Sequence, residues 1–187
     1  MSASNNPDAQ YLRRGEPLIV RDLRNEDLTF FRSLAQDKRV VRYVADGQPW
    51  TDAYAQQRFD AALSAGYSTE QSLRWFIAET ETGDQVGLLA LTLRELEIEV
   101  GYWISPEHWR RGFATVLVNE AKAIARSRRR SVALVATVDA DNVASRRVLE
   151  SAGFSTDTSA GESSHTPLAY RLEFLDDTDD RVSPAHS

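Results

Sequence analysis

Two hydrophobic periods divide this chain. From Leu73 to Ile104 apolar residues alternate or run in short blocks, as in strands, whereas before Gly66 and after Gly112 they recur every three or four residues, as in helices. Pro17 to Leu23 (PLIVRDL) predicts a first strand. Asn25 predicts the cap of a helix through Leu34, with Asp27 in its first turn. A second helical piece, Asp37 to Val44, breaks at Gly47, Gln48 and Pro49, and Thr51 or Asp52 caps a third that ends near Gly66. Leu73 to Glu79 and Val86 to Leu93 predict strands joined by the tight-turn signal Thr82-Gly83-Asp84. A turn at Arg94-Glu95 leads to a third, Leu96 to Ile104. Gly112 to about Arg126 reads as a helix with Leu117, Ala121, Ile124 and Ala125 on one face, and Ser131 to Val138 as a buried strand. Asn142 to Ala152 reads as a helix with Ala144, Val148, Leu149 and Ala152 inward. Phe154 begins a strand, and Pro167 to Phe174 closes the series. This order implies a mixed α/β domain with a mostly antiparallel sheet of about six to seven strands flanked by helices.

Composition narrows the class. The 187 residues, 42% hydrophobic and 27% charged, are those of one globular domain with a substantial core. Residues 11–174 are expected to form it, between a polar disordered N-terminus, 1–10, and an acidic disordered tail, 175–187. No apolar stretch approaches the roughly 18 residues that span a bilayer, so no membrane partner is expected. Cysteine is absent, which excludes disulfides and a cysteinyl acyl-enzyme and makes a cytoplasmic location the expectation. A net charge of -6 argues against nucleic-acid binding. His108, His165 and His186 show no metal-ligand spacing, so no metal is expected.

The segment Gly101 to Thr115 (GYWISPEHWRRGFAT) carries the chemistry. A strand ends at Ser105-Pro106, a loop follows, and a helix opens at Gly112. Unpaired N–H groups and positive partial charge at a helix start favour an anion. Gly112 allows close backbone approach, Ala114 keeps the next turn small, and Arg110 and Arg111 add charge, so a pyrophosphate is the expected ligand. Each dipole contribution is only about 0.3–1 kcal/mol, and several donors must act together.

Trp109 to Ala114 (WRRGFA) resembles the acyl-CoA loop of the GNAT superfamily of N-acetyltransferases, written Q/R-x-x-G-x-G/A. Asn142 to Phe154 (NVASRRVLESAGF) resembles its later helix. Glu99 to Ile104 (EVGYWI) and Arg42 to Thr51 (RYVADGQPWT) resemble the central strand and substrate loop of the branch that acetylates the terminal alanine or serine of ribosomal proteins. The resemblance spans about Leu18 to Phe174. It departs from the superfamily at Arg110, a position often held by glycine. It departs again at Leu149, where many members carry the tyrosine that protonates the departing thiolate.

The resemblance implies acetyl-CoA as cosubstrate and a primary amine as acceptor, either a peptide or protein N-terminus or a small molecule such as an antibiotic, amino-acid derivative or polyamine. It leaves monomer or homodimer open. It places the coenzyme on Trp103, Ile104, Arg110, Arg111, Gly112, Phe113, Ala114, Thr115, Asn142 and Ser145, with a backbone N–H near Trp103 and Ile104 as oxyanion donor. Ser145 would serve the thiol, although a helix-interior serine also bonds back to a carbonyl, and Asn142 also sits where an N-cap belongs. On the alternating strand Glu97, Glu99, Gly101 and Trp103 share one face, and Ile98, Val100, Tyr102 and Ile104 the other. Glu99 is the favoured base, acting through water, although that face also suits mere solvation. Trp50 and Tyr102 are candidates for the acceptor site, and Tyr102 and Tyr170 are reserve acids.

Overall fold

A computed structural model describes residues 17–64, 72–94, 96–128, 133–156 and 167–174. The expectations for both termini, Glu95 and Gly66 lie outside these. The elements are β1 (Leu18–Asp22), α1 (Leu28–Gln36), α2 (Lys38–Val41), α3 (Asp52–Ser64), β2 (Ser72–Thr80), β3 (Gln85–Leu93), β4 (Glu97–Ile104), α4 (Phe113–Ser127), β5 (Ala133–Val138), α5 (Val143–Ser151), β6 (Ser155–Thr156) and β7 (Leu168–Glu173). The seven strands form one sheet in the order β1-β2-β3-β4-β5-β7-β6, and only the β4–β5 pair is parallel. The mixed α/β expectation holds.

Alternation puts an apolar side chain on each face of the central strands, so both faces need cover. On one, Ile98, Val100, Leu89 and Leu91 pack with Leu117, Val118, Ala121 and Ala125 of α4 and Leu149 of α5. On the other, Trp75, Ile77 and Leu88 pack with Phe31, Leu34 and Ala35 of α1 and Ala55 and Phe59 of α3. α4 and α5 are also joined where Lys122 Nζ donates to the Ala152 carbonyl at 2.8 Å, satisfying an acceptor at the end of α5.

Two local expectations need correction. Asn25 does not cap α1. It opens a short 3-10 turn, Asn25–Asp27, because Asp27 reaches back to accept the Arg24 N–H at 2.7 Å. That carboxylate is fully buried, takes two bonds from Arg21 at 2.8 and 2.9 Å and a third from Gln85 at 2.7 Å, and so ties β1 to β3. Ala144 faces solvent, because α5 packs through Val148, Leu149 and the residue that follows it, Ala152. Thr51 does cap α3, its hydroxyl accepting the Tyr54 N–H at 3.2 Å.

Candidate active site

The parallel contact between β4 and β5 is short. Register runs only from Glu97 opposite Ala133 to Glu99 opposite Val135, although both strands continue beyond it. A gap therefore opens between β4 and β5 from Val100 onward. Ser105 N–H donates to Val86 and Arg94 N–H to Glu97, both across the β3–β4 pair. Since backbone polarity alternates along a strand, Glu99, Gly101 and Trp103 turn their N–H and C=O groups to β3, while Val100, Tyr102 and Ile104 turn theirs to the gap. Of the two positions expected to supply a backbone donor, the geometry therefore leaves Ile104; Trp103 offers its side chain instead. The Ile104 carbonyl is already taken by the Trp109 indole N–H at 2.7 Å, a bond that folds the loop back against β4.

At the end of this gap α4 begins. Its N-cap is Gly112 in the left-handed region, φ 86°, with no side-chain cap and no acidic residue in the first turn. The first helical bonds run from Thr115 and Val116 to the Gly112 carbonyl, so the N–H groups of Phe113 and Ala114 precede any intrahelical acceptor. Arg110 is also left-handed, at φ 62°, a conformation that costs a non-glycine residue roughly 1–2 kcal/mol. The two arginines part company here. Arg110 is exposed. Arg111 lies over the Phe113 ring at 4.9 Å, donates to His108 Nδ1 at 3.1 Å, and borders a cavity of about 350 Å³ beside the β2–β3 turn.

Across the gap, Asn142 caps α5, its Oδ1 accepting the Ser145 N–H at 3.1 Å. Tyr102 reaches the same turn and donates to the Ser145 carbonyl at 3.4 Å, and burial raises its pKa above the usual phenol value. Tyr102, Asn142 and Ser145 are thus brought together on the α4/α5 side. Trp50 lies on the other face, so the two residues expected to line the acceptor site are separated by the sheet. Leu149 is fully buried in the core under α5. Tyr170 is buried too, donating to Glu150 Oε1 at 2.9 Å and accepting from Arg146, and has no access as an acid.

The odd positions of β4 lie on the α1/α3 side of the sheet. Glu99 is half-buried and accepts from Arg94 Nη2 at 2.9 Å; an exposed pair of this kind is worth about 0–1 kcal/mol. Glu97 is tied to Arg171 on β7. Gly101 is exposed, and Trp103 beyond it packs edge-on to Trp50 at 5.2 Å, which in turn meets Tyr54 at 4.8 Å. Tyr54 and the openness at Gly101 were not anticipated as site features; their signal, cross-strand register and helix placement, is absent from linear spacing.

A strand pair that splays beside an uncapped helix start defines a protein that holds an extended anionic coenzyme. The chain belongs to the GNAT acetyltransferase family: residues 17–155 match the family model for the acetyltransferase (GNAT) domain. It is 30% identical over 142 residues to the uncharacterized N-acetyltransferase YoaA of Bacillus subtilis (strain 168), covering 73% of this chain and 78% of that one. The fold is similar to that of the Vibrio cholerae spermidine N-acetyltransferase in complex with CoA and spermine, at TM-score 0.66 and 19% identity over 82% of this chain and 92% of that one. It is also similar to that of an acetyltransferase from Agrobacterium tumefaciens str. C58, at TM-score 0.66 and 24% identity over 86% and 93%. The protein is an acyl-CoA-dependent N-acetyltransferase. These relatives do not point specifically to the ribosomal-protein branch. Among the described residues no helix is long and apolar enough to cross a membrane, and no group of three or more His, Asp or Glu is placed to hold a metal ion.

Proposed function

We propose that this enzyme moves the acetyl group of acetyl-CoA directly to a primary amine held on the opposite face of the sheet, the amine being the α-amine of a peptide or protein N-terminus. The observation that carries this reading is the gap between β4 and β5, which opens directly after Glu99 and runs toward the uncapped start of α4. The residues present fit the coenzyme: in the turn Gly112–Thr115 the main-chain N–H groups of Phe113 and Ala114 would meet its pyrophosphate, Arg110 would add charge, and the gap-facing groups of Val100, Tyr102 and Ile104 would border its pantetheine arm. The coenzyme supplies an activated acetyl thioester. The Ile104 N–H stabilises negative charge as it develops on the carbonyl oxygen. Glu99 takes the amine proton through water. Ser145, in the turn capped by Asn142, hydrogen-bonds the departing sulfur and relays a proton to it from water, so that the hydroxyl is regained in the same step, and Tyr102 steadies that turn. Without cysteine in the chain, transfer proceeds in a ternary complex, and alignment supplies much of the acceleration.

One carboxylate acting through water suits an α-amine. With a pKa near 7.7–8.0 it is neutral in roughly a tenth of molecules at pH 7, against fewer than about one in a thousand for a lysine amine. A second reading, a small-molecule amine such as a polyamine, draws support from the fold similarity to the spermidine enzyme. Thiol release from acetyl-CoA over a panel of alanyl and seryl peptides, amino-acid derivatives and polyamines tests both. Coenzyme binding without turnover of any amine would leave a non-catalytic binding module and defeat the proposal.

A further inference from the structure

The turn that opens α4 has a strained entry. Arg110 is left-handed at φ 62° and Gly112 at φ 86°, so two left-handed residues flank Arg111. Glycine takes that conformation freely, whereas an arginine stays in it only where its surroundings fix it. The strain sits just ahead of the helix start, where the Phe113 and Ala114 N–H groups precede any intrahelical acceptor.

The residue before Arg110 supplies the restraint. Trp109 is 42% exposed and belongs to neither hydrophobic core, so core packing does not place its ring. Its indole N–H, a donor only, bonds the Ile104 carbonyl at 2.7 Å. That carbonyl needs a partner, because it lies on the gap side of β4, where pairing with β5 has already ended at Glu99. The backbone bonds of the loop are local, from His108 N–H to the Ser105 carbonyl at 2.9 Å and from Trp109 N–H to the Pro106 carbonyl at 3.4 Å. The indole bond instead reaches from the far half of the loop back to the end of the strand. We infer that Trp109 is a positioning residue for coenzyme binding: its bond to the Ile104 carbonyl holds Arg110 left-handed and so keeps the Phe113 and Ala114 N–H groups aimed at the pyrophosphate. It acts through the main chain, not by touching the coenzyme. Once the bond is lost, Arg110 relaxes to the right-handed region and the turn beyond it rotates away. This inference rests on the pyrophosphate reading of that turn and names what sets its shape.

The test is calorimetric titration of the full chain with CoA and with ADP, which has the pyrophosphate but no pantetheine arm. Trp109→Phe keeps a ring and removes the donor. It should weaken both ligands by the same factor, about tenfold, which corresponds to the strain released at a left-handed residue. Trp109→Gln restores an N–H donor and should recover most of that affinity. In an Arg110→Gly background, where no strain remains, Trp109→Phe should change affinity by less than about threefold. Thermal unfolding of each variant should stay near wild type, since the ring lies outside both cores; a variant that unfolds would show the ring to be structural and overturn the inference. Loss of CoA affinity with ADP unaffected would mark a direct contact with the arm and overturn it too. So would wild-type affinity in Trp109→Phe, no recovery in Trp109→Gln, or an undiminished penalty beside Arg110→Gly. Gly112→Val is the control. If it binds CoA like wild type, the pyrophosphate reading itself fails, whereas a loss there beside an unaffected Trp109→Phe defeats only the role of Trp109.

Discussion

Replacing Gly112 tests the structural basis of coenzyme binding most directly. Its φ of 86° is open to glycine at no steric cost, whereas a Cβ there costs roughly 1–2 kcal/mol, and a β-branched side chain more. The chain can escape that strain by reshaping the loop, which turns away the N–H groups of Phe113 and Ala114. Gly112→Ala should therefore weaken CoA binding about tenfold, since each 1.4 kcal/mol is a factor of ten, and Gly112→Val should abolish it at ordinary coenzyme concentrations. Arg110→Gly makes the complementary change, relieving the left-handed strain at φ 62°. It should raise thermal stability by about 1 kcal/mol while removing one positive charge from the phosphate site. Calorimetric titration with CoA, paired with thermal unfolding, separates loss of affinity from loss of fold. Unchanged CoA affinity in Gly112→Val would refute the assignment of this turn as the pyrophosphate site.

Three other predictions follow from the same geometry. Glu99→Gln should lower kcat for amine acetylation at least tenfold with CoA affinity intact; a rate equal to wild type at every pH would dismiss Glu99 as the base. A Cβ on Gly101 would meet only the Ala90 Cβ at 3.9 Å, so Gly101→Ala should fold and bind CoA normally yet raise the acceptor KM by adding bulk beside Glu99, read by steady-state kinetics and calorimetry. At Asp27 burial alone would raise the pKa, but the Arg21 bonds, the Arg24 N–H and the charges of both arginines hold it below the usual carboxylate value. Its contribution is fully present above about pH 4 and is lost as pH falls through the depressed native value. Asp27→Asn should thus cost about 3–5 kcal/mol at pH 7, with a flatter dependence on acid pH in denaturant titrations; a variant as stable as wild type would remove the cluster's importance.

The elements were legible in the chain because helix and strand periods are local properties. β3, β4, β5 and α4 lie within a residue or two of where spacing put them, and the uncapped turn into α4 was legible because Gly112 stands alone between a strand end and an amphipathic helix. The exceptions at Asn25 and Ala144 have a tertiary origin: Asp27 is drawn into a buried cluster with Arg21 and Gln85, and α5 rests on fewer of its residues than its pattern offered. What the sequence determined by itself is therefore the order of elements, the alternation that sets Glu99 apart from Tyr102, and the glycine turn that opens α4. Only the tertiary structure decided that β4 and β5 part after Glu99, that Tyr102 joins Ser145 while Trp50 joins Trp103, and that Trp75, Ala90 and Gly101 share one row across the sheet. Those relations depend on register between strands and on which helix covers which face, and both are set by packing between residues far apart in the chain.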